Sequence, residues 1–102
     1  MTDLEMVKWC AEAMEMDFIA TEKHVMFRLP GSMELHSAYY WPLQVDAQAM
    51  ALIKRFRLNI EQLSAGCKVF TGDMRHEADS HDLNRAIVEC TAKMQAAKGA
   101  KP

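Results

Sequence analysis

Long apolar runs are missing from this 102-residue sequence. No window approaches the roughly 20 apolar residues that a membrane-spanning helix needs, and no basic start leads into an apolar stretch as in a secretory signal. Cysteine is scarce as well. Cys10, Cys67 and Cys90 are odd in number, far apart and never arranged Cys-x-x-Cys, so neither a disulfide framework nor a zinc site is expected. They read as reduced, mostly buried thiols, and the expected location is a bacterial cytoplasm. The four glycines never cluster ahead of a helix, which excludes a phosphate-cradling loop. No Gly-x-Ser-x-Gly elbow occurs, and Cys67, between Gly66 and Lys68, has no identifiable histidine to serve as its base. An enzyme is therefore not expected, nor is a cofactor. Charge of one sign is also lacking: 12 basic against 14 acidic residues give a net charge of -2, and no overall field draws the chain to nucleic acid or an anionic membrane.

What is present suffices for one globular domain. Half the residues are hydrophobic and a quarter charged, well away from the composition of disordered chains. The domain is expected over residues 1–94, with a frayed, lysine-bearing tail over 95–102. Nine methionines are explained mainly by core packing, since most fall within helical periodicities.

Thr2 and Glu5 form a capping-box pair, and Leu4, Val7, Cys10, Ala11 and Met14 follow as one apolar stripe, predicting a first helix with Trp9 covering the stripe's edge. Phe18 to Ala20 and Val25 to Leu29 read as a hairpin across Thr21 to His24, broken by Pro30-Gly31-Ser32. Met33 to Ala38 is expected to be irregular or briefly extended, with His36 at the surface. Asp46 to Phe56 is the central helix, capped by Asp46, with Ala49, Leu52, Ile53 and Phe56 on its buried face and Arg57 at a frayed or strained end. A second strand pair is expected over Leu58 to Leu63 and Lys68 to Thr71. Met74 to Ser80 reads as a loop, with Asp79 or Ser80 capping a last helix on Leu83, Ala86, Ile87, Cys90 and Met94. Short connections favour antiparallel pairing. The predicted class is α+β: one small, mainly antiparallel β-sheet with three helices packed on it, in the order α-β-β-α-β-β-α.

Tyr40-Trp41-Pro42-Leu43, a two-residue gap, Asp46-Ala-Gln-Ala-Met-Ala-Leu52 and Lys54-Arg-Phe56 resemble the tailed-phage ABA sandwich domain family, and the likeness runs more loosely over most of the chain. The resemblance implies a helix-sheet-helix layered fold and a phage or prophage origin, and brings no known activity. Family members often carry an asparagine where this chain has Trp41 and a polar residue where it has Val45, so this version of the loop is the more apolar.

Two constellations merit a functional reading. Tyr39, Tyr40 and Trp41, close in sequence to Lys54, Arg55 and Arg57, suit a flat or anionic ligand or a protein partner, because aromatic faces stack while cations meet phosphates or carboxylates. His76, Glu77 and His81 are weak metal candidates, since the histidines stand five apart and match no ligand spacing. The reading favoured is a non-enzymatic accessory protein that binds a host or phage protein, with self-association as a further option. The alternative is a module that binds or sequesters a nucleotide, or a weak single-stranded nucleic-acid binder.

Overall fold

A computed structural model describes residues 1–28 and 38–99. Among these residues three helices and six strands follow one another as α-β-β-β-α-β-β-β-α: α1 (Asp3–Ala13), β1 (Phe18–Ala20), β2 (Val25–Phe27), β3 (Ala38–Tyr39), α2 (Asp46–Phe56), β4 (Asn59–Leu63), β5 (Gly66–Phe70), β6 (Glu77–Ser80) and α3 (Leu83–Ala97). The small α+β class is as expected. The single sheet is not: there are two three-stranded antiparallel sheets, ordered β1-β2-β3 and β4-β5-β6.

Each helix begins for a chemical reason. Thr2 and Glu5 do form the reciprocal capping box, with the Thr2 hydroxyl accepting from the Glu5 N–H at 3.1 Å. That hydrogen bonding holds the Glu5 carboxyl below the usual carboxylate range. The expected cap of α2 is corrected. Val45 occupies the cap position without a side-chain bond, and Asp46 instead accepts from the Asn84 side-chain amide at 2.8 Å, tying the start of α2 to the start of α3. The α3 cap is also corrected from Asp79 or Ser80 to Asp82, whose carboxylate accepts from the Asn84 N–H at 3.1 Å. Residue 57 ends α2 in the left-handed region, φ 51°, where glycine is the usual occupant.

Helix α3 is the hub of the core. It packs against α1, α2, β5 and β6, and Ala86, Ile87, Val88, Cys90, Thr91 and Ala92 along it are all fully buried. A helix enclosed on so many sides buries more than one stripe. Helical order continues to Ala97 and buries Gln95, beyond the point where a frayed tail was expected to begin. All three cysteines are free and buried. Burial pushes the Cys90 thiol up to about 11 and Cys10 higher still. Trp9 lies partly buried against the core, as a ring at the stripe's edge should.

Two further strands complete the sheets, and β5 begins at Gly66 rather than at the expected Lys68. Ala38–Tyr39 pairs with Met26 and Phe27 as a third strand of the first sheet. Glu77–Ser80, read as loop, pairs along β5 from Cys67↔Ser80 to Phe70↔Glu77. Only Ala78 of β6 turns fully inward, so its polar composition hides the strand. Leu29, the expected end of the second strand, Pro30 to Ser37 with His36, and Ala100 to Pro102 lie outside the described residues.

Candidate functional site

Strand alternation decides which of the three consecutive aromatics faces out. Met26 stands opposite Tyr39, and the Tyr40 N–H donates to the Val25 carbonyl at 2.9 Å, carrying the antiparallel pairing one residue further. Tyr40 therefore turns inward with Val25 and Phe27, while Tyr39 turns outward with Met26 and His24. The burials agree. Tyr40 is 3% exposed and meets the Phe27 ring edge-on at 6.0 Å; Tyr39 is 60% exposed and stacks, tilted, on His24 at 5.1 Å.

The loop after β3 is fastened to α2 by one side chain. The Trp41 N–H donates to the Gln48 amide oxygen at 2.6 Å, and the Gln48 amide nitrogen donates to the Tyr39 carbonyl at 3.0 Å. A tight turn follows, in which the Gln44 and Val45 N–H groups both donate to the Trp41 carbonyl at 3.0 Å. Pro42 is fully buried beneath this turn. Fixed φ at Pro42 and two amide bonds from Gln48 hold the aromatic segment rigid before any ligand arrives.

Around it lies a concavity of about 370 Å³ lined by Lys23, His24, Val25, Tyr39, Tyr40, Trp41 and Gln44. Lys23, His24 and Gln44, along with Gln48 behind the wall, were not among the residues singled out from sequence. Recognising β3 would have brought His24 in, because it is the diagonal neighbour of Tyr39 on one face. Gln48 falls within the motif over residues 40–56, but nothing in that motif marks it as the tether.

The basic residues read together with the aromatics lie elsewhere. Lys54, Arg55 and Arg57 sit at the far end of α2, about 15 Å along a helix rising 1.5 Å per residue, and none of them lines the concavity. Arg55 is already engaged, donating to Glu15 at 3.2 Å across to the end of α1. The metal candidates are likewise dispersed. His76 lines a second concavity of about 490 Å³ with Asp73, Arg75 and Lys98; Glu77 pairs with Lys68 at 3.5 Å; His81 lies past the other end of β6. Five residues of extended chain separate the histidines by about 16 Å, far beyond the reach of one ion's ligands. Among the described residues no three His, Cys, Asp or Glu side chains come together as a metal-binding group.

Beneath the concavity, the Tyr40 hydroxyl is buried with no hydrogen-bond partner among the described residues. Burial pushes its pKa up, and the nearby Cys10 adds to the shift. A hydroxyl buried without a partner destabilises a fold, so Tyr40→Phe is expected to raise stability by about 1 kcal/mol. Urea unfolding of the two proteins checks this; a less stable phenylalanine variant would mean that the hydroxyl is satisfied.

The chain matches no family model, no curated protein and no solved structure. Its site must be read from its own geometry. Among the described residues no helix is long and apolar enough to cross a membrane.

Proposed function

We propose that the protein is a non-enzymatic interaction module whose docking site is the aromatic concavity beside β3, and that it takes an apolar or aromatic side chain from a segment of a partner protein. The observation that carries this reading is Tyr39. The residue is 60% exposed on a segment held by strand pairing, by Gln48 and by a proline turn. An immobilised, exposed aromatic loses little conformational freedom when a partner covers it, which is why such residues dominate binding energy at protein interfaces. Trp41 and His24 extend the contact surface, and Lys23 puts a positive charge on the rim. An anchor flanked by an acidic residue fits that arrangement.

The likeness of residues 40–56 to the tailed-phage family supports placing the protein as a small phage or prophage accessory factor in the cytoplasm of a bacterial host, with a host or phage protein as partner. Lys23 beside two aromatic rings is the observation that favours a nucleotide instead. Against that stands the distance of Lys54, Arg55 and Arg57 from the rings, which leaves a phosphate chain with little cationic support.

Selection from a random peptide library on the native protein is expected to enrich segments with an aromatic or leucine anchor. Tyr39→Ala is expected to weaken a selected peptide roughly tenfold or more with an unchanged circular dichroism spectrum. Undiminished binding by the variant would contradict the site assignment, and a thermal shift with ATP or GTP but with no peptide would replace this reading by the nucleotide one.

A further inference from the structure

The second sheet has two edges of different character. At β6 the outer edge is guarded: the Lys93 ammonium donates to the Glu77 carbonyl at 3.0 Å, α3 packs against the strand, and Glu77 and Asp79 are exposed charges along it. At β4, among the described residues, no helix and no side-chain hydrogen bond covers the edge, and Glu61 is its one charge. All five residues, Asn59 to Leu63, are exposed, with Ile60 at 42% and Leu63 at 38%, and the strand contains neither proline nor lysine. Its register with β5 runs without a bulge from Asn59↔Phe70 to Leu63↔Gly66. Natural sheets seldom leave so long and regular an edge open.

The ladder fixes which backbone groups of β4 face outward. Leu63 and Gly66 close a two-residue turn, so they form a hydrogen-bonded pair, and alternation makes Glu61↔Lys68 and Asn59↔Phe70 the others. The N–H and C=O of Ile60 and Gln62 therefore point away from β5. Among the described residues they have no partner.

We propose that β4 pairs antiparallel with β4 of a second copy of this chain, joining the two second sheets into one six-stranded sheet about a two-fold axis through Ile60. The choice of occupant and register rests on self-complementarity. An axis at Ile60 sets Ile60 against its own mate and lets the two residues exchange both main-chain hydrogen bonds. The Gln62 N–H then meets the Leu58 carbonyl of the other copy, twice by symmetry. The Leu58 N–H is not needed, since it already donates to Ile53 at 3.2 Å. On the opposite face Asn59 comes against Glu61, an amide donor beside a carboxylate, again twice. An axis at Glu61 would instead press two carboxylates together, which cross-strand pairs disfavour. An axis at Gln62 would pair the two Gln62 amides but set Ile60 against Ser64 and Glu61 against Leu63, leaving both apolar side chains opposite polar ones. This inference does not rest on the aromatic docking site.

Four main-chain hydrogen bonds and one isoleucine pair make a small interface, below about 1,200 Å², so the dimer is weak and concentration-dependent. Sedimentation velocity on the native chain up to about 1 mM, a concentration that detects even millimolar dissociation constants, is expected to show conversion to dimer. Ile60→Pro tests the edge directly. The Ile60 N–H lies outside the β4–β5 ladder, so proline removes only the intermolecular donor and is expected to leave the protein monomeric. In case that variant fails to fold, the register is read by cysteine cross-linking. Ile60→Cys places two thiols on Cα atoms about 5.5 Å apart, within disulfide range, and is expected to cross-link under mild oxidation. Gln62→Cys holds its pair four residues out of register, about 13 Å apart, and is expected not to. A native chain that stays monomeric, an undiminished dimer with proline at position 60, or preferential cross-linking through position 62 would overturn the proposal.

Discussion

Gly66→Ala is expected to destabilise the protein by about 4 kcal/mol, through left-handed backbone strain together with overpacking. Gly66 opens β5 with φ 139°, a conformation that side-chain-bearing residues rarely adopt. A Cβ built there would lie 2.5 Å from the Ser80 carbonyl oxygen and 3.1 Å from the His81 Cα. Both obstacles are backbone, and β6 cannot retreat without leaving its ladder or its packing on α3. Urea denaturation monitored by circular dichroism checks the value. A loss below 1 kcal/mol would mean that β6 yields freely and that the second sheet is not the rigid layer described. Gly72 is the internal control, because a Cβ there meets nothing within 4 Å.

Ile87→Ala is the other large effect, with an expected loss of about 3 to 4 kcal/mol as for a fully buried aliphatic side chain cut to a methyl group. Ile87 has no exposed surface and sits on the helix that meets α1, α2 and the second sheet. Domains of this size are stable by only about 5–15 kcal/mol, and each kilocalorie lost lowers Tm by about 4–8 °C. The midpoint is therefore expected to fall by about 15 °C or more. A drop of only a few degrees would place the centre of the core elsewhere than at α3.

The three helices were legible in the sequence because each carries its own signal. Thr2 with Glu5 marks the start of α1; the apolar spacing from Ala49 to Phe56 marks α2; Leu83 to Met94 marks the face of α3. The caps were less so, since an acidic side chain near a helix start can serve a neighbouring element, as Asp46 serves Asn84. The hairpins were visible wherever two segments alternate across a short turn. Strands β3 and β6 were not: two residues are too few to alternate, and β6 shows one buried alanine among polar neighbours. Missing those strands also blurred the site. Once Tyr39 is paired with Met26, His24 and Lys23 come to the concavity, whereas Lys54, Arg55 and Arg57, near the aromatics in sequence, are carried to the far end of a rigid helix.

The docking reading is tested most directly by NMR chemical-shift mapping on uniformly labelled protein titrated with the peptide that library selection returns. The expected result is a contiguous set of shifts at Lys23, His24, Tyr39, Trp41 and Gln44, the residues that line the concavity, absent when the same peptide is added to Tyr39→Ala. Shifts confined to the Lys54 to Arg57 end of α2, or a response that survives unchanged in the variant, would contradict the assignment of the aromatic concavity as the place where this protein meets its partner.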